Sequence, residues 1–387
     1  MKKQRKCWEQ LIVEDWMFEK IIGQNKAVNI LRNAIVSDKV AQAYIFHGAN
    51  GVGKLLTAFS FAKALNCLSD NMENKPCGVC NSCLKIDQFN HPDIHFIFPI
   101  PNYDMDENGV IKSKSEFEQY RKYIDTKIST PWQDHSFDKV TAIRIEQIRA
   151  LQRDVVMSRV EGKKKVFIFE NFDTLTISAA NSFLKTLEEP PADTHFILTV
   201  ENLSKLMPTI LSRCVAVEFY PISAEKIEGY LLDVLQTEPS KARLYSSLAN
   251  GDLAKATTLH YNENLETLDM TIRFLEIVIN RDELAFLEWI DRHFVKASKN
   301  TDVFMSFIQY LYLWLNDLQL IIHQPNTIVF VNQMDLLKQF LSKNPNILER
   351  IPNMLLELDE YLQRLQGNVN QKLILAQIYY SFIKLIH

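Results

Sequence analysis

The sequence lacks a strong charge of either sign: over 387 residues the formal net charge is only −4. Proteins whose main work is unaided capture of phosphate backbones usually carry a marked basic excess. Such a role is therefore disfavoured, although contact with nucleic acid inside a larger assembly is not. An uninterrupted apolar run is also missing. The longest candidate, residues 304–322, is broken by Gln309, Asn316, Asp317 and Gln319, so it reads as a buried helix and not a membrane span. The N-terminal stretch MKKQRKCWEQLIVEDW has basic residues, but Glu9, Gln10, Glu14 and Asp15 interrupt its apolar ones, so it is not a signal peptide. Internal repeats and low-complexity tracts are absent too. These absences predict a cytoplasmic protein with no membrane partner, in a compartment where thiols stay reduced.

What is present is 47% hydrophobic and 23% charged, the balance of a soluble globular protein, and the length calls for two or three domains. Through the first 220 residues short apolar runs alternate with helical patterns. The runs are AYIFHG (43–48), DIHFIF (93–98), KVFIFE (165–170), HFILTV (195–200) and CVAVEF (214–219). Between two of them Ala180, Phe183, Leu184 and Leu187 recur at helical spacing until Pro190 and Pro191 stop the helix. Continuous apolar strands separated by helices predict a parallel sheet covered on both faces. Residues 102–138 are polar and weakly periodic, and read as an insertion with one short helix near Glu116–Ile124. Beyond Pro221 helical patterns dominate, apart from a brief strand-like TIVFV run at 327–331. The expected division is an α/β domain (1–220), a small helical unit (221–262) and a larger helical domain (263–387).

Gly48–Leu55, GANGVGKL, follows a predicted strand and opens a predicted helix, and it matches the G-x4-G-K core of a phosphate loop. In such a loop Gly48, Asn50, Gly51 and Gly53 turn backbone N–H groups toward a phosphate, and Lys54 adds a point charge. The motif then departs from its pattern. Leu55 stands where a Ser or Thr hydroxyl ligates Mg²⁺, and Thr57 points about 200° away on the helix. The acidic pair expected at the end of a later strand is Glu170-Asn171. Glu170 has a longer arm with which to reach a metal, but Asn171 has no carboxylate with which to polarise water. Binding without turnover is expected, and whether the loop holds ATP, ADP or nothing stays open.

Cys67, Cys77, Cys80 and Cys83 form C-x9-C-x2-C-x2-C. Four thiolates at this spacing can close a tetrahedral shell around Zn²⁺ with no open position, so a structural ion is expected in a module spanning 67–83. Cys7 and Cys214 read as ordinary thiols. His91 and His95 read as structural, the Lys163–Lys165 run as a solvated loop, and FMSFIQYLYLWL (304–315) as core.

The succession IIGQ (21–24), GANGVGK (48–54), the four-cysteine insert, HPDIHFI (91–97), RIEQIRALQRDV (144–155), KVFIFENFD (165–173), NSFLKTLEEPP (181–191) and TILSRC (209–214) resembles the bacterial clamp-loader subunits of DNA polymerase III. That family comprises the gamma/tau motor and the delta-prime stator. The resemblance is dense over residues 15–220. It implies a RecA-like AAA+ domain, a helical lid and an all-α collar in a ring with gamma/tau and delta subunits, acting on a sliding clamp and primed DNA. By position Arg213, with Ser212 beside it, would be an arginine finger reaching into a neighbour's ATP site. The resemblance also places Val200-Glu201 where motors carry a threonine pair, and Ala254, next to Lys255, where they carry a second sensor arginine. Positions that would act on the chain's own nucleotide are altered, whereas the one that acts in trans is kept. The delta-prime type is therefore expected, an accessory subunit of the polymerase holoenzyme. The alternatives are an ATP-hydrolysing gamma/tau motor and a stand-alone zinc-dependent nucleic-acid-binding protein.

Overall fold

The computed structural model describes residues 18–72, 74–106, 109–129, 137, 139–262, 266–294, 301–365 and 370–386. Two compact units emerge. One takes the residues up to Ile227 together with Asn250–Thr258, and the other takes Glu228–Ala249 with Leu259–His387.

In chain order the first unit contains α1 (Asn25–Val36), β1 (Ala43–His47), α2 (Lys54–Asn66), α3 (Asn81–Asp87), β2 (Ile94–Ile97) and α4 (Lys114–Ser129). These are followed by α5 (Ile145–Val156), β3 (Lys165–Phe169), α6 (Ile177–Glu188), β4 (Thr194–Val200), α7 (Pro208–Leu211) and β5 (Val215–Glu218). The strands form one sheet in the order β2-β3-β4-β1-β5, and every pairing is parallel. This is the expected three-layer arrangement, and its strand order with a phosphate loop after β1 is consistent with a RecA-like AAA+ fold. Because side chains alternate along a strand, Phe167, Phe169, Phe196 and Leu198 face a core completed by Ile148, Leu151 and Val155 of α5 and by Ala180, Phe183 and Leu187 of α6. The opposite face is covered by α2, which packs on β1, β3 and β4.

Helix α2 is buried along its whole length except at Leu55. Its polar side chains must therefore find partners inside. Thr57 donates to the Gly53 carbonyl at 2.8 Å and Ser60 to that of Leu56 at 2.9 Å. Lys63 meets both carboxylate oxygens of Asp87 at 2.6 and 2.7 Å. Asp87 lies at the end of α3, which packs on α2 from the cysteine-rich segment. That segment, with α1 and the 3-10 turn Phe18–Lys20, hides the outer side of the helix.

The insertion holds a longer helix than expected, Lys114–Ser129. Its base is pinched by reciprocal backbone hydrogen bonds between Ile100 and Ala142 at 3.2 and 3.1 Å. The Lys163–Lys165 run is in part the expected solvated loop, with Lys163 exposed and Lys165 buried, but each ammonium has an acceptor: Lys163 donates to the Cys67 carbonyl, Lys164 to Asp193, and Lys165 to the carbonyls of Asp154 and Met157. Each ammonium fastens the start of β3 to a neighbouring segment.

The chain continues through α8 (Ala224–Asp233), α9 (Pro239–Ala249), α10 (Leu253–Asn262), α11 (Glu266–Asn280), α12 (Glu283–Phe294), α13 (Thr301–Leu320), α14 (Met334–Lys343), α15 (Ile347–Leu365) and α16 (Gln371–Ile386). In the second unit α11 packs on α12, α13 and α16, and α15 packs on α13 and α16. The aromatic run of α13 is core, as expected: Phe304, Phe307, Tyr310 and Trp314 are buried. The TIVFV run is not a strand. Its two ends belong to the 3-10 turns Pro325–Thr327 and Val331–Gln333. The buried carboxylate of Asp317 accepts the N–H groups of Val329 and Phe330, while Ile328 and Phe330 are buried. A side chain has replaced the ladder partner that a strand would need. Among the described residues no helix is long and apolar enough to cross a membrane.

Two outcomes follow from these buried charges. Asp87→Ala leaves the Lys63 ammonium enclosed without its partner, and urea denaturation should register a loss of about 3–5 kcal/mol. Burial pushes the Asp317 carboxyl up to about 6 although the Val329 and Phe330 N–H groups oppose it. Between about pH 4 and 6 the folded state then keeps a proton that the unfolded chain has released, so this group's contribution to stability falls as pH rises through that window. Melting curves of Asp317→Asn should lose this part of the pH dependence.

Candidate functional site

The phosphate loop joins β1 to α2 at the carboxyl end of the sheet. Gly51 and Gly53 adopt left-handed φ values of +65° and +93°, a conformation in which any side chain would be strained. At Gly51 space is equally restrictive, since an added Cβ would lie 1.6 Å from an Asp252 carboxylate oxygen. Asp252 also accepts the Lys255 N–H at 2.8 Å, capping the start of α10, and the Leu253 N–H bonds the Gly51 carbonyl at 3.1 Å. The loop thus carries an acidic helix cap on its back. An Asp three residues ahead of a backbone donor is a readable capping signal; its contact with the loop is not.

Lys54 is buried, and its ammonium donates to the carbonyls of Gly48 and Ala49 at 2.6 and 2.5 Å. Burial pushes its pKa down to about 8, against the opposing pull of the carboxylates of Glu201, Asp173, Asp252 and Glu170. The glycines suit a phosphate, but a nucleotide would have to draw Lys54 away from its own loop within a ring of acids.

The metal half of the site fits its ion poorly. Leu55 offers no oxygen. Thr57 gives its hydroxyl to Gly53. Glu170, buried just after β3, accepts from the Tyr123 hydroxyl at 2.9 Å and from the Lys127 ammonium at 2.8 Å. Asn171 sits in a left-handed turn (φ +48°), and its N–H donates to the Thr199 hydroxyl at 3.1 Å. Magnesium therefore finds no free hydroxyl at 55 and a carboxylate already engaged. Tyr123, Lys127, Asp252 and Thr199 escaped the sequence reading because each acts through a partner remote in the chain. Val200 is buried at the end of β4, and Ala254 near the start of α10. Burial lowers the pKa of Lys255, with Asp252 opposing.

The four cysteines of the insert converge, their sulfurs all within 4.8 Å of one another. A tetrahedral zinc–thiolate shell with bonds of about 2.3 Å has sulfurs about 3.8 Å apart, so the cluster suits that ion with little adjustment. Cys67 and Cys83 are buried, and burial pushes both thiols up. At Cys80 burial acts in the same direction, but the N–H groups of Leu68 and Cys83 and the neighbouring thiols outweigh it and bring the pKa to about 7. His91 instead accepts the Asp93 N–H through Nδ1 at 3.2 Å, and His95 stacks on Phe167 at 4.5 Å between centroids. Cys214 stands apart, its thiol pushed up to about 12 by burial. Cys7 lies outside the described residues.

Arg213 follows α7 on the surface. One guanidinium nitrogen donates to the Thr209 carbonyl at 2.7 Å and to the Ser212 hydroxyl at 3.3 Å, and the other meets Glu188 at 2.9 Å. Glu188 belongs to the TLEEPP segment that ends α6. The guanidinium itself is held by these contacts and turned onto a partner that solvent can reach, with about a third of the side chain exposed.

A sequence-family profile described as DNA polymerase III, delta subunit, matches residues 23–223, just over half of the chain. The DNA polymerase III subunit delta-prime of Bacillus subtilis is 28% identical over 348 residues, covering 90% of this chain and 92% of that protein. The tau subunit of Salmonella typhimurium is also 28% identical, over 65% of this chain, but only 34% of its own length is matched. A gamma-subunit-related protein from Thermotoga maritima aligns structurally over 93% of this chain and 99% of its own, with a TM-score of 0.40 and 16% identity. The phosphate loop, the cysteine insert and the SRC segment thus lie in a chain that belongs to the delta-prime family of bacterial DNA polymerase III clamp-loader subunits.

Proposed function

We propose that this chain is a non-motor, stator subunit that completes the clamp-loader ring and lends Arg213 to the ATP site of an adjacent gamma/tau subunit. In this reading Ser212 positions the arginine, delta completes the set of partners, and the assembled ring loads the sliding clamp onto primed DNA in the cytoplasm. The α/β domain (1–220) carries the finger, residues 221–262 form a lid, and residues 263–387 form the collar.

The observation that carries the proposal is a division within one domain. Each residue needed for hydrolysis in cis is absent or engaged: Leu55 has no hydroxyl, Asn171 no carboxylate, and both Glu170 oxygens have partners. Arg213 depends on none of them. Its contact with Glu188 is half open to water, and exposed pairs of this kind contribute only about 0–1 kcal/mol. A phosphoryl group presented by a neighbour, with more charge and a drier surrounding, can displace it. The motor reading conflicts with the same residues. Free-standing nucleic-acid binding has little support, because the Lys163–Lys165 ammonium groups already serve backbone and carboxylate acceptors.

In the same proposal Cys67, Cys77, Cys80 and Cys83 hold one structural Zn²⁺. The ion would fix α3 against α2 and so keep the phosphate-loop helix covered. Gly48, Asn50, Gly51, Gly53 and Lys54 would give ATP or ADP a place to bind without turnover.

Two measurements test these assignments. In a clamp loader reconstituted with gamma/tau and delta, Arg213→Ala should lower DNA-stimulated ATPase by roughly a hundredfold or more at the site it serves; unchanged turnover at that site would remove the finger. Elemental analysis of the purified chain should find one zinc per molecule. Stripping that zinc with a chelator should lower the melting temperature, whereas a metal-free chain of equal stability would exclude a structural ion.

A further inference from the structure

The polar segment between β2 and α5 contains an unusual burial. Helix α4 is a surface helix, yet its most buried side chain is a lysine, Lys127. Tyr123 lies one turn earlier on the same stripe. The Tyr123 ring is stacked between Phe98 at 4.6 Å and Phe137 at 4.7 Å, and Phe98 also stacks on Tyr120 at 5.1 Å. Phe98 follows β2, so these rings fix α4 over the carboxyl end of the sheet. There the Glu170 N–H is bonded to the Ile97 carbonyl at 2.8 Å. The two polar groups that α4 brings inward both end on Glu170: Lys127 on one oxygen at 2.8 Å, Tyr123 on the other at 2.9 Å.

Nothing in the packing of a surface helix requires a lysine on its inner stripe. An apolar residue would cover Phe98 without removing a charge from water. What the lysine does is neutralise the carboxylate that immediately follows β3, where a strand-end acid can ligate a divalent cation. An ammonium in contact with that carboxylate also repels a second cation approaching it.

We infer that α4 is an intramolecular lock in which the Lys127 ammonium, aided by the Tyr123 hydroxyl, replaces the divalent cation at Glu170 and closes the phosphate-loop site to magnesium. The lock explains why Leu55 is harmless: a hydroxyl there would have no metal to share. It gives the insertion a role, and it stands whether or not Arg213 acts in trans.

The test separates the lock from the missing hydroxyl. ATP affinity is measured in magnesium and in EDTA for the full-length Leu55→Thr chain and for Leu55→Thr carrying Lys127→Gln and Tyr123→Phe. Circular dichroism melts establish that each is folded. Restoring the hydroxyl alone should leave the two affinities within about twofold, because Glu170 is still held. Releasing Glu170 as well should make ATP bind at least about tenfold more tightly with magnesium than without it. In the same background Lys127→Arg, which preserves the ion pair, should behave like Leu55→Thr alone. Should the combined variant melt early, the Lys127→Gln change on its own with Leu55→Thr provides the comparison, with the same expected direction. Tenfold magnesium dependence in Leu55→Thr alone would overturn the inference. So would a folded chain with Glu170 released that shows no magnesium dependence, including one that fails to bind ATP in either condition.

Discussion

The structure depends on enclosing α2. A parallel sheet must be covered on both faces, and the helix that covers one of them here is also the helix that the phosphate loop opens. Apart from Leu55 it is buried on every side. Its outer face is closed in part by the cysteine-rich segment, through α3 and the Lys63–Asp87 pair, whose members are 0% and 4% exposed. A charge pair so deeply enclosed contributes less to net stability than to fixing one arrangement, since its desolvation cost offsets much of its attraction. The helix that the loop opens is therefore held in part by a module remote from the loop itself. Lys163, reaching from the start of β3 to the Cys67 carbonyl, ties that module to the strand that ends in Glu170.

From that frame the electrostatics of the loop follow. Lys54 is enclosed by its own carbonyls and faces four carboxylates. Glu170 is neutralised by Lys127. Charges that could act on a bound phosphate and its metal are instead balanced within the chain. Arg213 belongs to a different part of the domain. Its geometry is set by α7 and Ser212, its guanidinium bonds the Thr209 carbonyl, the Ser212 hydroxyl and the exposed Glu188, and no charge balance in the loop restrains it. Separate supports for the two regions allow one to lose hydrolytic groups while the other keeps its arginine.

Much of this was legible in the sequence because the signals are local. β-branched and aromatic runs flanked by helical spacing predicted all five strands of the sheet, and the spacing of Cys67, Cys77, Cys80 and Cys83 anticipated the convergence of their sulfurs. The absence of a hydroxyl at Leu55 and of a carboxylate at Asn171 could be read from the motif alone. Contacts between distant segments could not. Lys127 and Glu170 are 43 positions apart, and nothing in a polar helix indicates which strand end it will meet. The Lys163–Lys165 run looked solvated because charge runs usually are; its acceptors come from three other segments. TIVFV looked like a strand because its composition favours one, but Asp317, twelve residues before Val329, captures its N–H groups.

The central claim is that the chain's own phosphate loop cannot split ATP. A single-turnover assay, with the isolated full-length protein in excess over ATP and magnesium present, tests it most directly. The account predicts no ADP formation above the buffer rate over hours. Hydrolysis by the wild-type chain that disappears in Lys54→Ala would contradict it.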